Sequence, residues 1–294
     1  LLLGGGGALA RGNTSRQAQS AKANAPGRAK NIIFLVSDGM NYATLAMADA
    51  WRKLHGEGHS EWLGLYGERG ITRGLQETYS ADSLVTDSAA ASSAWGIGER
   101  INNGALNVTP DGRRPEPVWF TAKKAGKATG LVTTARITHA TPAGFAVNVI
   151  ERSLERHVAR QYLERGYDVL LGGGSKFFAE DPEASEYPGE QYRDFEKAGY
   201  TVYRDADGPV DLVPGGSGVQ PVLGTFWPTH VPYALDRAHN AQRRHLPGLP
   251  AMARAGLENL SRNPNGFVLQ VEAARVDHGG HANDIGAMLW DQLE

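Results

Sequence analysis

Residues 31–39 read NIIFLVSDG: an unbroken apolar run from Ile32 to Val36 that stops abruptly at Ser37, Asp38 and Gly39. A short apolar run closed by turn residues reads as a strand buried on both faces, the pattern of a parallel sheet. Later stretches repeat it: TGLVTT at 129–134, DVLLGG at 168–173 and GFVLQVEA at 266–273. Between them the apolar spacing turns helical, from about Ala43 to Leu54 and near 116–125, 153–165, 249–261 and 285–293. Strand and helix in alternation predict an α/β fold, a mostly parallel central sheet flanked by helices. Functional groups in such folds gather just beyond the carboxyl ends of strands. Asp38, Thr133, Thr134 and Glu272 hold those positions.

The chain is 294 residues long, enough for one large domain or two small ones. The expected division is a leader over 1–29 and a single α/β domain over 30–294, with the Gly-, Pro- and acid-rich stretch 174–248 as an elaborated insertion. Lys plus Arg number 30 and Asp plus Glu 32, a net charge of −2 that offers no footprint for nucleic acid. No run approaches the ~20 apolar residues of a membrane span. There is no cysteine, so a metal site must draw on His, Asp, Glu and other oxygen donors. The opening LLLGGGGALARG looks like the tail of a secretory signal with an A-x-A-like site at Ala8–Ala10, which predicts an exported protein, periplasmic or extracellular. The closing AMLWDQLE stops inside a helical pattern without a stop signal, and the expectation is a chain truncated on that side.

Three clusters could carry chemistry. VEAARVDHGGH, 271–281, packs Glu272, Asp277, His278 and His281 into a short stretch. Asp277 and His281 are four apart, so one helical turn or a tight loop aims both at one point. Their carboxylate and imidazole suit Zn²⁺, whereas Glu272 is a harder oxygen donor better matched to Mg²⁺. TTARITHATPAG, 133–144, offers His139 and Thr141. Pro142 disfavours helix at Thr141, which predicts extended chain with both side chains on one side. VTDSAAASSAWG, 85–96, predicts a helix starting near Asp87, capped by Thr86 or Asp87, with Ser88 at the positive end of its dipole. A serine hydroxyl attacks only when a base or a metal activates it, and no G-x-S-x-G elbow surrounds this one. Arg152, in NVIERSLE, reads alone as an ordinary surface cation.

Taken in order, SDGM at 37–40, VTDSAAASSAWG at 85–96, VTTARITHATPAG at 132–144 and VEAARVDHGGH at 271–281 resemble the signature segments of alkaline phosphatases. The resemblance runs through most of 31–173 and again near 264–290. It implies hydrolysis of small-molecule phosphate monoesters at a site with two Zn²⁺ and one Mg²⁺, with a homodimer open. Ser88 would be the nucleophile, phosphorylated transiently, and Asp38 would bridge the serine-side zinc and the magnesium. Thr141 and Glu272 would complete the protein ligands of the magnesium, with His139 close by. Asp277 and His281 would bind the second zinc, and His278 would lie behind the ligands or near the magnesium. Arg152 would grip two phosphate oxygens, oriented by Asp87. The family supplies further zinc ligands downstream of the last segment, which this chain lacks, so the chain by itself is expected to be impaired. His230, His239 and His245 are given no metal role. A phosphodiesterase with the same metals, or a non-catalytic metal- or phosphate-binding fragment, is the alternative. A sulfatase is disfavoured, because Ser88 is followed by Ala-Ala-Ala and not by the C/S-x-P-x-R context.

Overall fold

A computed structural model describes residues 29–204 and 212–294. The signal-like opening and almost all of the leader expected over 1–29 lie outside the described residues. In chain order the elements are β1 (Ile32–Ser37), α1 (Tyr42–Leu54), α2 (Glu61–Gly64), α3 (Ser88–Ile97), α4 (Val118–Lys124), β2 (Ala128–Arg136), α5 (Ala140–Gly144), α6 (Glu155–Arg165) and β3 (Val169–Gly173). There follow α7 (Tyr192–Lys197), β4 (Thr201–Arg204), β5 (Val222–Thr225), α8 (Ala234–His239), α9 (Leu249–Leu260), β6 (Phe267–Ala273), α10 (Arg275–His281) and α11 (Ile285–Leu293). The strands form one sheet in the order β1-β6-β2-β3-β5-β4, and every pairing is parallel.

Alternate residues of the central strands enter two separate apolar cores, one on each face. Leu131 of β2, Leu170 of β3 and Val268 of β6 join the core that contains Trp119, Phe145 and Tyr162. Their neighbours Val132, Val169, Leu171 and Leu269 join the core under α9, with Met252 and Leu260. Strands that bury both faces read as continuous apolar runs for this reason. Strand β1 departs from the expectation of two buried faces. It is an edge strand, and Ile33 and Leu35 are 48% and 61% exposed. Only its other face is engaged, with Phe34 packed against Trp95 and Phe145. Residues 174–248, expected as an insertion, contribute β4 and β5 to the far edge of the sheet.

The small residues after Ser88 have a packing reason. α3 lies against α5 so closely that a Cβ on Gly96 would sit 2.0 Å from the carbonyl oxygen of Gly144. A Cβ on Gly144 would sit equally close to Ser92 Oγ. Ser92 Oγ donates to the Ala140 carbonyl (3.0 Å), and Asn107 Nδ2 donates to the Gly144 carbonyl (2.7 Å). Replacing Gly96 by alanine is therefore expected to force the helices apart. The expected destabilisation is about 1–3 kcal/mol, read as a lowered urea midpoint, and Ser88 moves with α3.

Candidate active site

The sheet order sets the site. β6 lies between β1 and β2, with Glu272 opposite Val36 on one side and Thr133 on the other. The carboxyl ends of these three adjacent strands therefore deliver Asp38, Glu272 and Thr133 to one place. Gly39 follows Asp38 with φ +65°, and a Cβ there would lie 2.6 Å from Asp277 Oδ1. Only glycine tolerates both that backbone conformation and that approach. At the end of β2 the pairing with β3 shifts register between Val132 and Arg136. Such bulges re-aim side chains next to functional sites. Here Thr133 Oγ1 donates to Glu272 Oε2 (2.6 Å), and Thr134 Oγ1 accepts the backbone N–H of Ala274 (3.0 Å) at the start of α10.

Asp87 caps α3, its Oδ1 accepting the N–H of Ala90 at 2.8 Å. Ser88 is thereby fixed as the first residue of the helix, and its Oγ donates to Asp38 Oδ2 at 2.9 Å. The other oxygen of Asp87 accepts Nη1 of Arg152 at 2.9 Å, while Nη2 of Arg152 meets Nε2 of His139 at 3.0 Å. Arg152 is not a helix-surface cation; it lies in the turn before α6, and its backbone N–H donates to the Gly104 carbonyl (2.7 Å). Asp277 and His281 lie one turn apart on α10, 3.5 Å between Oδ2 and Nε2. These residues and His278 line one cleft of about 590 Å³, with Trp95, Thr78 and Met40 on its walls. Glu272 and Thr141 are buried, and the Thr141 hydroxyl reaches Asp38 Oδ2 at 3.5 Å. A larger cavity of about 900 Å³ lies beside α1, α8 and α11, but two of its three arginines, Arg52 and Arg237, already pair with Glu57, Glu61 and Glu294.

The expected extended chain at Thr141 is corrected. His139 is extended and caps a short helix in which Thr141 and Pro142 are the second and third residues. A proline in the first turn forfeits no intrahelical bond, because those N–H groups have no acceptor within the helix.

The electrostatics of the cleft call for cations. Burial, and then the nearby Asp277, raise Asp38 above its ordinary value. Burial, and then Asp38, push Glu272 up to about 8, and the hydroxyls of Thr133 and Thr141 offset this only in part. Burial also raises Asp277, against the pull of His281 and Arg152. Glu272 Oε1 is buried without a hydrogen-bond partner. Crowded, desolvated carboxylates of this kind become favourable when they hold a metal ion. Asp38, Thr141 and Glu272 offer the all-oxygen set that suits magnesium. Asp277 and His281 offer the mixed set that suits zinc. Among the described residues no three acidic or imidazole side chains already surround a single point.

Sequence reasoning missed a second layer. His230, set aside there, packs its ring against His278 and His139, and Arg136 lies against it. Burial first, then the neighbouring arginine Arg136, hold His230 down at about 2, and burial with Arg275 holds His278 at about 4. These rings are neutral across the physiological range. No motif surrounds His230; only its place after an apolar strand, VLGTF, could have marked it. His239 lies elsewhere, against Trp290.

A family model described as alkaline phosphatase matches residues 29–293. The repressible alkaline phosphatase of Saccharomyces cerevisiae is 34% identical over 286 residues, covering 90% of this chain and 50% of that protein. Alkaline phosphatase 3 of Bacillus subtilis is 34% identical, covering 92% of this chain and 56% of its own length. The crystal structure of Thermus thermophilus alkaline phosphatase superposes with a TM-score of 0.82 at 39% identity, over 98% of this chain and 58% of that one. The chain thus spans about half the length of the curated relatives it matches.

Proposed function

Since the chain belongs to the alkaline phosphatase family, we propose that it hydrolyses phosphate monoesters through a phosphoserine formed on Ser88. The observation that carries this reading is the 2.9 Å hydrogen bond from Ser88 Oγ to Asp38 at the head of α3, beside Arg152. Asp38, Thr141 and Glu272 would hold one magnesium; Asp38 and Ser88 one zinc; Asp277 and His281 a second zinc. Bound there, the metals would lower the pKa of the serine hydroxyl and neutralise charge on the transferring phosphoryl group.

The chain's own groups do the rest. The N-terminal end of α3 favours the phosphate dianion. Arg152 grips two non-bridging oxygens, a match of guanidinium to phosphate geometry. Asp87 and His139 hold that guanidinium from both sides before substrate arrives. Ser88 points its proton at Asp38, which leaves its lone pairs for attack. Its Oγ bonds to phosphorus as the bond to the alcohol oxygen breaks, and the alcohol departs with a proton. Water then attacks the phosphoserine, Ser88 Oγ recovers a proton, and inorganic phosphate leaves. Export rests on the signal-like residues 1–10.

With zinc and magnesium supplied, p-nitrophenyl phosphate is expected to turn over faster than the corresponding diester; a diester preference would overturn the monoester reading. On this assignment each zinc would have two donors among the described residues, fewer than the three or four that hold zinc firmly. Weak retention is the expected outcome: zinc lost on simple dialysis, measured by atomic absorption. Stoichiometric zinc after dialysis would contradict that donor assignment.

A further inference from the structure

We propose that His230 is a positioning residue for the phosphate site, locking the imidazoles of His139 and His278 in place beside Arg152 and Asp277. The inference rests on the monoesterase reading for its purpose, but on contacts for its geometry. His230 is delivered by a backbone with little freedom. Val231 N–H donates to the Thr134 carbonyl at 3.0 Å, and a Cβ on Gly173 would lie 2.1 Å from the Thr229 carbonyl oxygen. Its ring is then pinned by Arg136, whose Nη1 lies 2.5 Å from Nε2 and whose backbone N–H lies 3.3 Å from Nδ1. A neutral imidazole accepts at one nitrogen only, and both groups of Arg136 that face the ring are donors, so His230 accepts from Arg136 in either tautomer. Arg136 is itself immobilised by Glu155, which meets Nε and Nη2 at 2.7–2.9 Å.

From this anchor the ring centroid of His230 lies 4.2 Å from that of His278 and 5.3 Å from that of His139. The same logic of donors fixes the other rings. His139 Nε2 faces Arg152 at 3.0 Å and His278 Nδ1 faces Arg275 at 2.8 Å, so each accepts there and carries its proton on the other nitrogen. Every ring therefore commits an acceptor nitrogen to an arginine, which leaves a packed polar layer. The contacts run without a gap from Glu155 through Arg136, His230 and His139 to Arg152. Groups behind a reacting site that fix its ring orientations are commonly worth ~10-fold in activity.

The test uses His230→Ala, His230→Phe and His230→Gln in the full chain, with histidine ring nitrogens followed by NMR in metal-free protein. His230→Ala is expected to shift the ring signals of His139 and His278 and to lower kcat on p-nitrophenyl phosphate by ~10-fold, with the thermal midpoint held within a few degrees. His230→Phe, which keeps the ring packing, or His230→Gln, which keeps an acceptor for Arg136, recovers part of both. Unmoved ring signals would overturn the proposal, as would a loss of turnover that tracks the thermal midpoint. Shifted rings in a chain whose wild type fails to hydrolyse the ester would leave the positioning intact and remove the monoesterase reading.

Discussion

Replacing Ser88 by alanine is expected to reduce phosphate-monoester turnover by roughly a thousandfold or more, the scale on which a nucleophile's removal is felt. Binding of inorganic phosphate is expected to fall only a few-fold. The asymmetry follows from the arrangement. Arg152 is held by Asp87 and His139, neither of which touches Ser88 Oγ, so the phosphate grip survives the change. Asp87 caps α3 through its own side chain, so the helix start survives as well. Steady-state kinetics and phosphate titration together check this. Retained turnover would place the nucleophile elsewhere.

The second large effect concerns metal-free protein. Glu272 is fully buried, and its pKa is raised from 4.5 to about 8 by burial and by Asp38. The folded state then binds more protons than the unfolded state between those values, so stability falls as pH rises through the window. Asp38 and Asp277 are raised in the same direction and add to it. Urea unfolding without metal is expected to show a loss on the order of a few kcal/mol between about pH 4.5 and about pH 8. Magnesium, which pairs with the charged form, is expected to restore most of it at the upper end. Glu272→Gln is expected to flatten the pH dependence and to remove the rescue, even though it leaves metal-free protein more stable at high pH. A pH-independent wild type would contradict the account of the carboxylate cluster.

What was legible in the sequence had a local cause. β2, β3 and β6 bury alternate residues in two cores, so each shows as an apolar run. β1 shows the same run yet lies at the edge, because hydrophobicity records capacity for burial and not the neighbour that supplies it. β4 and β5 are four residues each, among glycines and prolines, too short for periodicity to register. The Pro142 argument failed because the clash that disfavours helix before a proline is a bias and not a prohibition, and a proline in the first turn loses no intrahelical hydrogen bond that would add to it. The placement of Asp38, Ser88, Glu272 and Asp277 was readable because each sits at a strand end or in the first turn of a helix, and the structure brings the four to one place, Glu272 buried behind the cleft that the others line. Arg136, Glu155 and His230 were not. They come together only through the pairing of β3 with β5 and the register shift in β2, which no short stretch of sequence encodes.

The most direct test of the serine mechanism is to quench the metal-supplemented protein in acid during turnover of p-nitrophenyl phosphate and map the modified peptide by mass spectrometry. The account predicts one phosphoryl group on Ser88, absent from Ser88→Ala. Turnover with the phosphoryl group on another side chain, or with none trapped under any quench, would contradict it.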